Sequence, residues 1–373
     1  MTIDTGPLTS LQLQSEMTSG GTLELSLVEA PVPDPGDDEL VVRIEAAPVN
    51  PTDIGLMFAA ADLTTLTANG GKTVATVPPA VLPRFAGRLD RPLAVGSEGA
   101  GTVVRAGANA QALLGRRVAI FGPGTYAQYR VTRADACLVL PDGVTAAQGA
   151  AALINPLTAL GMIETMRLDG HGALIHTAAA SNLGQMLNRL CLAEGIPLIN
   201  IVRSAAQAEL LLGQGAVHIC NSSDADFVAQ LDAAVTATDV RLAFDAIGGE
   251  MPGRLLAAME VAGVRRMADY SHYGSTEPKQ VYVYGALDPG PIVTPRAMGM
   301  AWSISGWLLF QLVQRAGPDV FKRMRQRVAD DLGTIFASSF DTTIGLADAI
   351  RPDVIHAYAQ RATGRKFLLD PWR

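Results

Sequence analysis

The chain has 373 residues, of which 49% are hydrophobic and 17% charged, and its formal net charge is −7. This composition excludes a disordered chain, and the length suggests two domains. The acidic balance argues against nucleic acid as the main partner, because phosphate binding needs a basic surface. Three widely spaced cysteines and an N-terminus without a basic or apolar leader favour a cytoplasmic protein without a disulfide framework.

The N-terminal part of the chain, to about residue 150, predicts β structure. Short strand-like runs such as ELVVRIEAAPVN, GAGTVVRAG and RRVAIFG are separated by Gly, Pro, Asn and Asp. Many short strands at this spacing favour a partly closed barrel or a sandwich. Residues 59–92 interrupt the pattern, and we predict a long loop or lid there that shapes a pocket.

From residue 156 onward, strand-like and helix-like segments alternate. The predicted strands are GALIHTA, PLINIVR, AVHICN, RLAFDAIGG, GVRRMADYS and QVYVYGAL. Repeated β-α units are typical of a doubly wound parallel sheet, so the fold class is α/β. The uncharged run between Arg296 and Arg315 is near the length of a membrane span, but its polar residues favour a buried strand and helix start, and no membrane association is expected.

The segment HTAAASNLGQM, residues 176–186, connects the first of these strands to an amphipathic helix. In a dinucleotide-binding fold this turn approaches a pyrophosphate, so small residues are favoured, and the helix N-terminus supplies donors. The G-x-G-x-x-G spacing falls here on Ala179, Ser181 and Gly184, with Ala180, Asn182 and Leu183 between them. The segment is either a nucleotide-binding turn built from small residues or an ordinary strand-to-helix corner.

The end of the second predicted strand favours NADP(H) over NAD(H). NAD sites usually place a carboxylate there for the ribose hydroxyls, whereas this chain has Arg203 and Ser204. A guanidinium binds a 2′-phosphate through charge-assisted hydrogen bonds. The alternative is a surface arginine that merely ends a strand.

These segments resemble the medium-chain dehydrogenase/reductase superfamily, and most closely its zinc-independent quinone oxidoreductases and 2-enoyl thioester reductases. The resemblance rests on the order of AAPVNPTDIGLM, VGSEGAGTVVRAGANA, AALINPLTALGM, AAASNLG and GRKFLLD. It implies a β-rich GroES-like substrate domain from residues 1–156 and 302–373, and a Rossmann domain from residues 157–301. It further implies NADP(H) in the cleft between the domains and a homodimer joined through QVYVYGAL.

Zinc is not expected. Zinc-dependent members of the superfamily have Cys where this chain has Asn50, and His where it has Ser97. Asparagine and serine are poor zinc ligands, and the five histidines show no ligand spacing.

The resemblance suggests hydride transfer to a small-molecule electrophile, either an activated double bond or a quinone. Asn50 and Thr158 are the candidate catalytic residues, Asn50 as a donor to substrate oxygen and Thr158 beside the nicotinamide. A helix cap or turn is the alternative role for each. Further candidate cofactor contacts are Asn155, Ser271, Tyr273, Tyr284, Gly285 and Ala286.

One departure from the enoyl reductases leaves alternatives open. Their proton-donating tyrosine would follow the motif NPTD at residues 50–53, but Phe58 stands there and the next tyrosine is Tyr126. A non-catalytic NADP(H)-binding protein and an enoyl thioester reductase with another proton donor are therefore alternatives. A methyltransferase would want an acidic residue where Arg203 stands.

Overall fold

The computed structural model describes residues 6–360 and 366–373. Its contacts divide the chain into two units. The first combines Met1–Ile154 with Arg327–Arg373, and the second is Asn155–Gln326.

The strands follow one another along the chain as β1 (Leu8–Met17), β2 (Thr22–Val32), β3 (Glu39–Pro48), β4 (Asp62–Asn69), β5 (Lys72–Thr76), β6 (Leu93–Ala94), β7 (Glu98–Ala106), β8 (Arg117–Phe121), β9 (Tyr129–Arg133), β10 (Leu138–Val139), β11 (Leu174–His176), β12 (Leu198–Val202), β13 (His218–Asn221), β14 (Leu242–Asp245), β15 (Lys279–Val283), β16 (Trp302–Gly306), β17 (Thr342–Ile344) and β18 (Phe367–Leu369). The α-helices are α1 (Pro51–Phe58), α2 (Ala146–Gly149), α3 (Ile154–Leu168), α4 (Asn182–Glu194), α5 (Ala205–Gly213), α6 (Phe227–Thr238), α7 (Met251–Arg265), α8 (Leu309–Ala316), α9 (Pro318–Asp330), α10 (Leu346–Ala349) and α11 (Pro352–Ala359). Short 3-10 helices lie at Pro79–Phe85, Ala108–Leu113 and Ala134–Ala136.

The first unit is β-rich, as the strand-like runs predict. One sheet has the order β4-β5-β2-β1-β6, and another has the order β10-β8-β7-β3-β18-β17 with β9 also paired to β3. On β1, Leu13, Ser15 and Met17 are buried and alternate with more exposed residues, because successive side chains of a strand point to opposite faces. Helices α1 and α11 contribute Met57 and Tyr358 to the same core.

The prediction of a long loop at residues 59–92 is wrong. Strands β4 and β5 form an antiparallel hairpin, and β5 pairs with β2 to extend the first sheet. The hairpin turn contains Gly70 and Gly71, both with positive φ, the conformation that two-residue hairpin turns require. The polar composition that suggested a loop belongs to an edge hairpin with a largely exposed outer strand.

The second unit is a parallel sheet with the order β13-β12-β11-β14-β15-β16, as expected for a doubly wound fold. All of its strand pairs are parallel. Helix α4 buries Leu183, Met186, Leu187 and Leu190, whose spacing of three and four residues makes one helical face. Another core cluster of this unit joins the sheet to α6 and α7.

The second domain boundary lies later than predicted. Trp302–Gly306, assigned from the sequence to the substrate domain, is β16, which pairs with β15 along its whole length. The run between Arg296 and Arg315 is indeed a strand followed by a helix start, but β16 is mostly exposed rather than buried. It is the edge strand of the parallel sheet.

One helical stretch of the described chain, residues 146–168, is long and apolar enough to cross a membrane by length and composition alone. Buried residues make up 72% of its apolar window, a pattern that the core helix of a globular protein also gives. This stretch is therefore weak evidence for a membrane span.

Candidate nucleotide site and buried carboxylate network

The carboxyl ends of the parallel strands bring most of the predicted cofactor contacts to one edge of the second unit. β11 ends at His176, β12 at Val202, β14 at Asp245 and β15 at Val283. In open parallel sheets this edge is where ligands bind. The turn after β11, Arg203 after β12 and Tyr284 after β15 all lie on it.

The turn between β11 and α4 is tight and made of small residues. Ala178 has φ +53°, a left-handed conformation that is strained for alanine and turns the chain sharply after the strand. Ser181 is the N-cap of α4, and its hydroxyl accepts a hydrogen bond from Gly184 N at 3.1 Å. A Cβ on Gly184 would lie 2.2 Å from Ala179 O, so glycine is required there for the helix to start so close to the turn.

This turn presents the N-terminus of α4 beside buried Ala179 and Ala180, with no bulky side chain among residues 177–182. A helix N-terminus carries a partial positive charge and attracts phosphate groups. The turn thus has the small residues and the close helix start that a phosphate-binding turn needs, and phosphate binding there stays a prediction. Leu183, 8% exposed, packs its side chain inward and would contribute only backbone to such a site.

Arg203 follows the last residue of β12, on the strand next to β11. Its backbone N donates to the Gln207 side chain at 3.0 Å, and its exposed guanidinium has no hydrogen bond or ion pair with any residue that the structure describes. Ser204 caps α5, because its hydroxyl accepts from Gln207 N. An exposed guanidinium thus follows the strand next to β11, while the Ser204 hydroxyl is already engaged as a cap.

Tyr284 lies directly after β15, and its hydroxyl shares a 2.7 Å hydrogen bond with Nε2 of His176 at the end of β11. The two rings stack with centroids 5.7 Å apart. Burial lowers the pKa of His176 to about 3, so the imidazole is neutral, and its Nδ1 has no partner among the described residues. A Cβ on Gly285 would lie 3.0 Å from Ala246 O, and exposed Ala286 follows.

A second hydrogen-bonded pair fixes the neighbouring strand end. The Thr177 hydroxyl donates to Asp245 Oδ1 at 2.7 Å and accepts from Ala246 N at 2.8 Å. Asp245 also accepts from Ile247 N and Gly248 N, although burial raises its pKa. These bonds fix the loop after β14 to the turn between β11 and α4.

Ser271 and Tyr273 do not follow a strand. The run GVRRMADYS, predicted as a strand, contains the last turn of α7 and an irregular segment, because the apolar spacing of α7 continues to Ala262. The Ser271 hydroxyl accepts from Tyr273 N at 3.2 Å, and the Tyr273 side chain is 61% exposed. Ser271 and Tyr273 were predicted to contact the cofactor because they were expected to follow a strand. The structure shows no strand there.

Asn155 and Thr158 both lie in α3, three residues apart and so on one helical face. Each is partly buried. Thr158 is inside the helix and is not its cap, which removes the alternative structural role considered for it. Their contact with a cofactor stays a prediction.

Asn50 belongs to a buried network in the first unit. Its Nδ2 donates to Glu98 Oε1 at 2.9 Å, and Glu98 Oε2 accepts from the backbone N of Leu153 and Ile154 at 3.0 and 2.9 Å. Asn50 is 3% exposed and Glu98 is 1% exposed. One amide hydrogen of Asn50 is thereby committed to Glu98, which leaves a single hydrogen for the predicted donation to substrate.

A second carboxylate lies beside the first. Asp53 Oδ1 accepts from the Ser97 hydroxyl at 2.5 Å, and its Oδ2 accepts from Asn50 N at 2.9 Å and from the Tyr126 hydroxyl at 3.1 Å. Burial raises the pKa of Asp53 and of Glu98. Ser97, noted in the sequence only as a residue unable to bind zinc, here holds a buried carboxylate in place.

Lys366 is the residue of this network that sequence reasoning missed. Its Nζ is buried, has no hydrogen-bond partner in the described part of the chain, and lies 5.0 Å from the centre of the Phe340 ring. Burial lowers its pKa to about 8, and the Glu98 and Asp53 carboxylates partly oppose that effect. A buried ammonium without a hydrogen bond is costly, and such groups are concentrated at functional sites.

Within residues 6–360 and 366–373, no group of three or more His, Cys, Asp and Glu side chains could hold a metal ion. The three cysteines, Cys137, Cys191 and Cys220, are buried, and none of them forms a disulfide. The buried carboxylates Asp53 and Glu98 are bonded to amide and hydroxyl donors.

Comparison with known proteins agrees with this architecture. Residues 36–142 match the alcohol dehydrogenase GroES-like domain. The mitochondrial enoyl-[acyl-carrier-protein] reductase of Caenorhabditis elegans is 28% identical over 65% of this chain, and the match spans 64% of that protein. Quinone oxidoreductase 1 of Escherichia coli is 26% identical over 66% of this chain and 68% of its own length.

A solved structure from Mesorhizobium loti, a candidate NADPH:quinone reductase, superposes over 100% of both chains with a TM-score of 0.70 and 25% identity. The chain is therefore similar in sequence and in fold to enoyl and quinone reductases, and part of it matches the alcohol dehydrogenase GroES-like domain. The predicted resemblance to the zinc-independent quinone and enoyl reductase branch of that superfamily is confirmed by these comparisons.

Proposed function

We propose that this protein is a zinc-independent oxidoreductase that uses NADPH to reduce an activated double bond or a quinone in a small molecule. The observation that supports NADPH as the cofactor is the position of Arg203. Its exposed guanidinium stands beside the small-residue turn and the N-terminus of α4, at the position where an NAD site places a carboxylate. When bound, the nicotinamide would supply the hydride.

The residues of the second unit would then bind and orient that cofactor. The turn from Ala179 to Gly184 and the α4 N-terminus fit a pyrophosphate, and Arg203 fits a 2′-phosphate. Tyr284, held by neutral His176, fits a ring-facing position at the end of β15. Asn50 in the first unit and Thr158 in the second are proposed to contact substrate and nicotinamide.

The test is a fluorescence titration of the protein with NADPH and NADH, repeated on Arg203→Ala. We expect the variant to lose about tenfold or more in NADPH affinity, because a charge-assisted contact with the 2′-phosphate is removed, while NADH binding is unchanged. Arg116→Ala is the matched control, since Arg116 is half exposed and pairs with Asp142 in the first unit.

Equal weakening of both nucleotides by Arg203→Ala would refute the role given to the 2′-phosphate. If the unaltered protein bound neither nucleotide, the turn between β11 and α4 would be an ordinary strand-to-helix connection. The reductase proposal would then be wrong. NADPH binding without turnover on a panel of quinones and enones would instead indicate a non-catalytic NADP(H)-binding protein.

We also propose a homodimer, but not through QVYVYGAL. That segment contains β15, which is flanked on both sides by β14 and β16 and so has no free edge. β16 is an edge strand of the sheet, and large exposed apolar side chains lie on it or close to it in the chain, including Trp302 at 40%, Phe310 at 58% and Met300 at 72% exposed. An exposed strand edge with apolar neighbours favours pairing with a second copy.

Trp302→Lys combined with Phe310→Lys is expected to weaken self-association more than tenfold, because two charges would be buried in the interface. Sedimentation velocity across a concentration series measures it. Val217→Lys is the control, since Val217 is 75% exposed next to β13 at the opposite edge of the sheet. A monomer at every concentration of the unaltered protein would exclude the dimer.

A further inference from the structure

A small groove lies wholly within the first unit, between β1, the end of β2 and β9. Its volume is about 190 Å³. Its walls are formed by Ser10, Gln12, Ala30, Pro31, Val32, Pro33, Ala94, Gly124, Tyr129, Arg130 and Val131.

Arg130 is the charged residue of this wall. Its side chain is partly buried, and no hydrogen bond or ion pair to its guanidinium is found within residues 6–360 and 366–373. Burial alone lowers its pKa, with no carboxylate acting to raise it. The guanidinium lies against Gly122 and Gly124, where an added Cβ would be 3.5 and 3.3 Å from its nitrogens.

The other arginines of this sheet region differ in their surroundings. Arg105 pairs with Asp34 at 2.9 Å, and Arg133 pairs with Asp135 at 2.8 Å. A half-buried guanidinium has lost part of its hydration, and it regains that free energy when an anion accepts its hydrogen bonds. Arg130 therefore offers a charge that the described chain leaves uncompensated.

The remaining lining defines what kind of anion fits. The Gln12 side chain has no hydrogen-bond partner in the described chain, so its amide can donate to an oxygen. Ser10 is already engaged, because its hydroxyl accepts from Tyr129 N at 3.0 Å. The rest of the wall, formed mainly by prolines, valines and alanines, is apolar.

We propose that this groove binds a small carboxylate with a short apolar tail, whose carboxylate pairs with Arg130 and accepts from Gln12 while the tail lies against Pro31 and Val32. The planar guanidinium matches a carboxylate in a bidentate pair. The site lies apart from the nucleotide turn in sequence and in fold unit, so it does not depend on the proposed reductase function.

The experiment is isothermal titration with sodium butanoate at constant ionic strength, with butyramide as the neutral isostere. We expect butanoate to bind with a dissociation constant of about 1 mM, and butyramide about tenfold more weakly or not at all. Arg130→Gln is expected to weaken butanoate binding about tenfold. Arg130→Lys should weaken it less, because an ammonium keeps the positive charge but cannot form the planar bidentate pair. Arg133→Gln, which removes an exposed and paired arginine, is the matched control and should bind as the unaltered protein does.

Ala30→Leu gives a second test that leaves Arg130 in place, because the larger side chain fills the groove. Loss of butanoate binding in both Arg130→Gln and Ala30→Leu, with melting temperatures close to that of the unaltered protein, supports the site. Unchanged binding in either variant, equal binding of butyramide, or no saturable binding of butanoate to the unaltered protein overturns it.

Discussion

Replacing Lys279 by methionine is expected to lower the free energy of unfolding by about 3–5 kcal/mol. Lys279 Nζ lies 2.5 Å from Glu260 Oε2, and the two side chains are 1% and 7% exposed. Glu260 also accepts from Ser275 N at 2.8 Å, so the pair anchors the irregular segment before β15 to α7. Without the ammonium, a carboxylate stays buried and uncompensated. Urea unfolding followed by circular dichroism measures the loss.

Lys72→Met provides the matched control for this prediction. Lys72 Nζ lies 2.7 Å from Glu24 Oε2, a similar distance, but its side chain is 50% exposed. An exposed pair contributes about 0–1 kcal/mol, so this variant should hardly change the unfolding curve. The double variant Lys279→Met with Glu260→Leu should recover much of the lost stability, because both charges are removed together. Equal losses in the two single variants would contradict the argument from burial.

The strand and helix order of the second unit was predictable because each β-α unit leaves its own local pattern. Parallel strands share a carboxyl edge, so placing Ser181 after one strand and Arg203 after the next already brought them near each other. The prediction of a dimer through QVYVYGAL did not allow for a strand beside it. Nothing in QVYVYGAL shows whether a further strand, Trp302–Gly306, will cover its edge.

Two errors had local causes. The hairpin at residues 59–92 carried a usable signal, Asn69 followed by two glycines, but the polar alternation of an exposed β4 hid the strands on either side. The run GVRRMADYS, which contains the end of α7, was predicted as a strand because strands and helices alternate along this part of the chain. The helical spacing of Leu255, Met259 and Ala262 predicts the observed helix better.

The carboxylate network could not be predicted, because its contacts join distant parts of the chain. Asn50 and Glu98 are 48 positions apart in the sequence, and Lys366 lies far from both of them, near the end of the chain. A lysine in GRKFLLD gives no sign in the sequence that its Nζ will be buried. Only the packing of β18 against β3 brings that segment to the neighbourhood of Asn50.

Lys366→Met is expected to raise the free energy of unfolding by about 3 kcal/mol at neutral pH, because the pKa of Lys366 lies about 2.5 units below its ordinary value. The folded-state pKa of Lys366 is about 8, below the ordinary value of 10.5, so the unfolded chain holds this proton more tightly. The cost of the buried charge is fully present below about pH 8 and disappears as the pH rises toward 10.5. Methionine keeps most of the aliphatic contact and removes the charge.

Urea unfolding of both proteins between pH 7 and pH 11 measures this effect. The stability advantage of Lys366→Met should shrink across the interval from about 8 to 10.5. Lys322→Met, at an exposed position in α9, is the control and should show no such convergence. A variant less stable than the unaltered protein at pH 7 would mean that the Glu98 and Asp53 carboxylates outweigh the cost of burying the ammonium, contrary to the lowered pKa of Lys366.

The Lys366→Met variant also tests whether the charge of Lys366 is needed for turnover. The buried ammonium of Lys366 lowers the stability of the folded chain and lies near the Glu98 carboxylate. Groups that lower stability are concentrated at functional sites. We therefore expect Lys366→Met to gain stability and lose turnover in the quinone and enone screen, with NADPH affinity measured separately by fluorescence. Retained turnover together with raised stability would show that the charge of Lys366 is dispensable for turnover.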